Sequence, residues 1–426
     1  MRTSVVAEFN RVQTELGRET MGASTFRRHL EEHFSRVSIC PHKEDYCDKC
    51  KALGTDMSRC RFVIRKITES GNSSSEKMQP HEKELSALTK AQQGHLQDAK
   101  LARNFYNKMV ARCKEQWGRL STAEGATSTN RHTFTLVLSA DYQQAKLIPY
   151  WGRSPQPAST YYLSKESYDI FGIVDHRDDS GHVRLFSETI GPKNTDHTVS
   201  LLQDYIEGIK EKYPWLERVL IFMDNATNTN KNRYLFAWAM EQVKRDLVGS
   251  IHFCFLVAGH TKFAPDRLFA SCTKSYNGSD IINIVELKDV YAKHCSVSVC
   301  NETNIHPWRK YLGQCYTDLP GVRSLHKFLI VRGEGDKVIF RVGHMCYDPQ
   351  MDSGSMRMIS TIDTAVSDQS YTVHQLPNTK LEDITQMCHR FIAQSRWPTY
   401  VVPRSDARLP SQAAHDRGTE RQNRRK

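Results

Sequence analysis

Val219–Asn232, VLIFMDNATNTNKN, decides the fold. Its first five residues are an unbroken apolar run, the length and composition of a strand buried in a sheet. The run ends on Asp224. The Asn- and Thr-rich segment after it supplies turn and cap chemistry ahead of a helix carrying Tyr234, Leu235, Trp238 and Val243. An acid at the C-terminal end of a buried strand stands at the mouth of the sheet, where open α/β folds place ligands. Taken alone, such an Asp is more often a plain strand-end cap.

Two further acids change that reading. Upstream, Thr133–Ala140 (TFTLVLSA) is a second buried strand running straight into Asp141. Downstream, Ile251–Ala258 (IHFCFLVA) is a third, leading into Gly259-His260-Thr261 and then Asp266 at the start of a helix. Tyr168–Asp175 and Val183–Glu188 read as two more strands, followed by an amphipathic helix over Thr195–Tyr213 with Thr195 as its cap. The order is β-β-β-α-β-α-β-α, with acids after the first and fourth strands and on the helix after the fifth. This is the ribonuclease H-like layout: a mixed five-stranded sheet with flanking helices, its first and fourth strands side by side. Three carboxylates so placed can share two hard divalent cations, Mg²⁺ or Mn²⁺, and serve in-line phosphoryl transfer. Glu188 and Glu286 are the nearest substitutes for any one of them.

LSADYQQAKLIPY, ETIGPKNTDHTVSLL, FMDNATNTNKN and AGHTKFAPDRLF together resemble an uncharacterised family of transposon-derived domains with an integrase-like core, over roughly Phe34–His294. The resemblance implies a DDE-type site in which Asp141, Asp224 and Asp266 occupy the acidic positions and His260 the histidine of a Gly-His-Thr/Ser motif. The third acid here is Asp where many such recombinases carry Glu. His260 itself reads either as a proton shuttle or as a turn-stabilising imidazole.

Charge is unevenly distributed along the 426 residues, whose formal net charge is +11. Residues 1–133 carry 23 Lys and Arg against 16 Asp and Glu, and residues 404–426 carry 7 against 3, whereas 134–403 carry 29 of each. Basic arms around a neutral core suit phosphate-backbone binding, although ordinary solubility charge gives the same count. No apolar run approaches the length of a membrane span, and the N-terminus lacks a signal-peptide core. The 12 Cys read as reduced intracellular thiols. Neither a GxGxxG nor a Walker loop is present, so ATP-driven chemistry is not expected.

Five segments follow. Residues 1–38 read as two helices, a pattern compatible with a helix-turn-helix and equally with any helix pair, with Arg27 and Arg28 as DNA contacts. Residues 39–130 hold a zinc turn and a long helix over Glu82–Leu120, in which Gly94 is a weak point. The turn's Cys47-x2-Cys50 spacing suits one tetrahedral Zn²⁺; Cys40 is the natural third ligand, and His42, His95 or Cys60 the fourth, His95 being favoured. Residues 131–295 form the core, in which Tyr150, Trp151 and Arg153 could stack on unpaired bases and Lys231 and Lys262 could meet phosphates. Residues 296–403 read as a small α/β or β-rich appendage with strands at Phe328–Val331, Lys337–Val342 and Tyr371–Gln375, and 404–426 as a disordered basic tail.

The leading expectation is therefore a Mg²⁺- or Mn²⁺-dependent DNA cleavage and strand-transfer protein of transposon origin, nuclear and compatible with a homo-oligomer. A binding protein that keeps the fold without catalysis is the alternative, and a nuclease acting on RNA–DNA hybrids a third.

Overall fold

The computed structural model describes residues 2–33, 47–69, 75–122, 127–335, 337–357 and 371–402. Cys40, His42 and the basic segment 404–426 lie outside the described residues. Five helices come first: α1 (Arg2–Glu15), α2 (Ala23–His33), α3 (Asp48–Glu69), α4 (Ser75–Leu120) and α5 (Ser128–Thr133). Strands β1 (Leu136–Ile148), β2 (Tyr150–Trp151), β3 (Glu166–Asp175) and β4 (Ser180–Ser187) precede α6 (Thr195–Lys212). Then β5 (Arg218–Met223), α7 (Arg233–Lys244), β6 (Ser250–Phe255) and α8 (Ala264–Asn277) alternate. The chain continues through β7 (Asp280–Ile281), α9 (Ile284–Ala292), β8 (Ser296–Val299) and α10 (Trp308–Cys315). It ends with β9 (Lys327–Arg332), β10 (Val338–Gly343), β11 (Asp352–Ser353) and α11 (Asn378–Phe391).

The protein is mixed α/β, organised on one nine-stranded sheet of order β11-β10-β9-β6-β5-β1-β3-β4-β8. β1 pairs antiparallel with β3 and parallel with β5, and β5 pairs parallel with β6. Alternate residues of β1 meet opposite helical layers, as the two-residue period of a strand requires. Tyr142 reaches α6, its hydroxyl 3.2 Å from Thr198 Oγ1. On the other face Ser139 bonds Tyr106 of α4, and Gln143 donates to Thr273 of α8 at 2.6 Å.

Two expectations about the sheet are corrected. It has nine strands rather than five, and segment 296–403 is not an appendage: β8 extends one edge and β9–β11 the other. The reason is aromatic packing. Phe236 of α7 stacks on Phe328 of β9 at 3.9 Å between centroids, and Phe340 of β10 lies 6.3 Å from the same ring. Phe236, Phe253, Phe255 and Phe328 are wholly buried. Each contributes about 1.5–3 kcal/mol of burial, which detaching β9 and β10 would forfeit. Tyr371–Gln375 is not a strand; this extended segment bonds through Tyr371 N to Glu302 O and His374 N to Thr189 O.

Local chemistry accounts for the helix starts. Asn232 caps α7 by accepting from Tyr234 N and Leu235 N. α6 is capped by Asn194 rather than Thr195, its side chain accepting from Asp196 N. Thr127 caps α5, its side chain accepting from Asn130 N. α1 and α2 are joined by Asn10, which donates to Met21 O and accepts from Met21 N.

α4 is 46 residues long and packs its C-terminal half on the core through Ala102, Tyr106 and Cys113. Gly94 sits in its middle with open space where a Cβ would point. Gly94→Ala should therefore stabilise the chain by about 0.5–1 kcal/mol. Denaturant unfolding would register it; a loss of stability would mean that the groove beside Gly94 is filled.

Candidate functional site

The core's chemistry gathers where β5 and β6 end. The parallel register pairs Leu136 with Val219 and Ser139 with Phe222. Carried two residues on, that register sets Asp141 opposite Asp224 just beyond the last paired residues, with strands about 4.8 Å apart. Asp141 does not follow its strand, as the sequence suggests. It lies inside the 13-residue β1, which continues to Ile148 because β3 pairs it across a bulge between Gln143 and Lys146.

α8 brings the third acid. Gly172 of β3 lies opposite Asp141. A Cβ at Gly172 would stand 2.5 Å from the Phe269 ring, so glycine lets α8 rest directly on the strand. Asp266, one turn before Phe269, caps α8 by accepting from Phe263 N at 2.8 Å. Burial, and next the Asp224 charge, raise Asp141 to a pKa of about 8, with Asp266 adding to the effect. Asp224 is also raised, chiefly by burial and with Asp266 contributing, while hydrogen bonds from Asn230 and Ala226 N oppose the shift. Lys193 favours the charged form of both. Asp141 and Asp224 thus both feel the charge of Asp266, and burial is the first cause of the shift at each of the two.

A hydrogen-bonded hub lies beneath them. Tyr106 of α4 stands 3.3 Å from His176 Nε2 and accepts from Ala264 N at 3.3 Å, and Ser139 Oγ is 2.7 Å from the same imidazole nitrogen. Neither Tyr106 nor His176 was singled out by the sequence, since no motif or spacing marks either.

The second centre is sulfur- and nitrogen-based. Cys47, Cys50 of α3, His95 of α4 and His260 in the β6–α8 loop bring four ligand atoms within 4.8 Å of one another. Cys47 Sγ is 3.2 Å from His95 Nε2, and Cys50 Sγ is 3.4 Å from His260 Nε2. Tetrahedral S₂N₂ bond lengths of about 2.0–2.3 Å require donor separations of roughly 3.3–3.8 Å, so this cluster can hold a metal ion such as zinc. Burial is the first cause holding the Cys50 thiol up, with the Cys47 thiol adding to it. Burial, then Lys49 and His260, hold His95 down, leaving the imidazole in its neutral, ligating form. Among the described residues, these are the His, Cys, Asp or Glu side chains whose ligand atoms close to that distance as a group of three or more.

His260 therefore sits in the Cys/His quartet, a role the sequence reading did not give it. Its signal was present in the Gly-His-Thr turn, but the partner Cys50 is 210 residues away in sequence. Lys231 is corrected outright: it is 2% exposed and cannot meet DNA, its ammonium donating to Asn225 Oδ1 and Arg323 O. Lys262 and Arg28 are exposed, and Arg27 lies on α2. Tyr150 is committed to stacking on Tyr276 at 4.1 Å. Glu188 and Glu286 are engaged elsewhere, by Lys380 and Arg396.

Residues 162–348 match a family model described as a domain of unknown function (DUF7869). The span takes in Asp224, His260 and Asp266, and leaves out Asp141, Cys47, Cys50 and His95. No curated protein and no solved structure matches the chain. Among the described residues, no helix is long and apolar enough to cross a membrane.

Proposed function

We propose that the chain is a transposon-derived, DDE-type polynucleotidyl transferase with a ribonuclease H-like core, acting on DNA in the nucleus. The observation carrying this reading is the β1–β5 register, which sets Asp141 beside Asp224 with Asp266 arriving on α8. The strand order β4-β3-β1-β5-β6 within the sheet is the order such a core requires. Bound Mg²⁺ or Mn²⁺ would polarise the scissile phosphate and activate water or a DNA 3′-hydroxyl. Asp141 and Asp224 would hold those ions between them, and Asp266 would complete the set. Asn230 orients Asp224 by donating to its Oδ1, and Lys193 offers a cation beside the acids for a phosphate oxygen. Exposed Lys262, with Arg28 and the basic termini, supplies backbone contacts. Tyr161 and Tyr162, 71% and 78% exposed, offer stacking faces for unpaired bases at the β2–β3 loop.

Zn²⁺ is the ion we assign to Cys47, Cys50, His95 and His260, because two thiolates and two imidazoles suit its tetrahedral preference.

A second reading is a nucleic-acid-binding protein that keeps this core without catalysis. It is favoured by Asp266, whose carboxylate is already used to cap its own helix. Mn²⁺-dependent nicking of supercoiled plasmid, and joining of a 3′-hydroxyl oligonucleotide to it, separate the two. Wild type should do both and Asp224→Asn neither, with rates lower by about 10³-fold or more. Wild type binding DNA but leaving it uncut across Mg²⁺ and Mn²⁺ would leave only the binding role.

A further inference from the structure

α3 and α4 adjoin in sequence and pack on each other, yet their cysteine turn and His95 take their fourth donor from the distant β6–α8 loop. That loop is fitted to the turn. Gly259 has φ +73°, and a Cβ there would lie 2.5 Å from both Cα and Cβ of Cys47. No other residue type allows the loop to come so close. α4 grips the same loop at two more points, Arg103 Nη2 donating to His260 O at 3.0 Å and Tyr106 accepting from Ala264 N. Phe263, 2% exposed, is then followed by Asp266, whose carboxylate closes back on Phe263 N.

We infer that the ion held by Cys47, Cys50, His95 and His260 is a latch that seats the start of α8, so that filling this site governs divalent-cation binding at Asp141, Asp224 and Asp266. The inference rests on the acid-site reading above for its second half and on the loop geometry alone for its first. With the quartet filled, α3, α4 and the β6–α8 loop are tied at one point. Asp266, six residues beyond His260 and inside the cap that ends the loop, is then fixed against β1 and β5. With it empty, the loop keeps its hydrogen bonds to Arg103 and Tyr106 but loses the shared ion that ties His260 to Cys47, Cys50 and His95. Coupling of this kind is reciprocal, so the acid-site cation should in turn tighten zinc binding.

The test uses the full chain in two forms: loaded with one equivalent of Zn²⁺, and stripped by a zinc-selective chelator, each verified by elemental analysis. Mn²⁺ binding is read from the paramagnetic resonance of free Mn²⁺, and the loop from amide hydrogen exchange over residues 256–270. Stripping should weaken Mn²⁺ binding about tenfold or more and speed exchange in the loop, both restored by Zn²⁺ or Co²⁺. Co²⁺ should also give the absorption of a tetrahedral thiolate site. His260→Ala should mimic stripping in a folded chain, and His260→Cys, which can still supply a fourth donor, should recover both readings with zinc. Equal Mn²⁺ affinity and equal loop exchange with and without zinc would overturn the inference, as would a chain that takes up no zinc. If the zinc-loaded chain binds no Mn²⁺, the acid-site reading and the coupling both fail. The latch itself then stands if stripping speeds loop exchange, and falls if it does not.

Discussion

Asp141→Asn should do two opposite things: abolish tight divalent-metal binding and make the metal-free protein more stable at neutral and alkaline pH. Burial and the neighbouring Asp224 raise Asp141 to a pKa of about 8. A carboxylate raised in the folded state binds more protons there than in the unfolded chain. Stability is therefore highest below the unfolded value of about 4, and is lost progressively as pH rises toward about 8. Asn cannot ionise, and its Oδ1 can still accept from Tyr142 N, which bonds Asp141 at 2.7 Å. The variant should thus match wild type near pH 4 and exceed it by about 1–3 kcal/mol at pH 8 in metal-free buffer. Mn²⁺ should reverse the ranking, since on the proposed reading the variant would lose an oxygen that holds the ion, and its affinity should fall on the order of 100-fold. In wild type the metal must displace the proton on Asp141, so affinity should climb about tenfold per pH unit below pH 8 and then level off. Urea unfolding across pH 4–9, with and without Mn²⁺, reads all of this. A variant no more stable than wild type at pH 8 would mean that burial and the neighbouring acids do not hold the Asp141 carboxyl up. Unchanged Mn²⁺ affinity would remove Asp141 from any metal site.

Legibility in the sequence follows burial pattern. β5 and β6 were readable because both faces of each are covered, so their runs are continuously apolar; Asp224 was readable as the polar residue ending the first run, and Asp266 as an acid opening the helix after the second. The extent of β1 was not, because Asp141, Gln143 and Gln144 look like a strand's end. What keeps the strand going is tertiary: β3 pairs it through Ile148, and Gln143 is satisfied by α8 and by Tyr291. β9 and β10 were visible as strands, but a short alternating strand does not name its neighbour. Their place depends on Phe236 meeting Phe328 across a gap of more than 90 residues. The quartet was half legible. Cys47-x2-Cys50 is a local spacing and His95 lies on a periodic helix, whereas His260 belongs to another structural unit, and no period connects it to the turn.

Lys231→Ala should be among the more destabilising substitutions in the chain, at about 2–4 kcal/mol, although the residue reads in sequence as a solvated charge within an Asn-rich loop. Its ammonium is buried, donating to Asn225 Oδ1 at 2.9 Å and Arg323 O at 3.0 Å, with the Phe255 ring 5.3 Å away. It therefore ties the loop that follows Asp224 to the segment entering β9. Removing it leaves two acceptors without their donor and a void along the stem. Arginine should not rescue, because a planar fork does not fit where a compact ammonium serves two converging oxygens. Burial lowers Lys231 to a pKa of about 8. A lysine depressed in the folded state binds fewer protons there than in the unfolded chain, so its contribution rises with pH between about 8 and the unfolded value near 10.4. The penalty of Lys231→Ala should accordingly grow from pH 7 to pH 10, the reverse of the trend expected for removing Asp141's charge. Because Asn225 adjoins Asp224, Mn²⁺ affinity should fall as well, by less than in Asp224→Asn. Urea midpoints at pH 7 and pH 10 decide the matter. A cost below about 0.5 kcal/mol at both, the range of ordinary surface substitutions, would mean that Lys231 is solvated and the loop is held by other contacts.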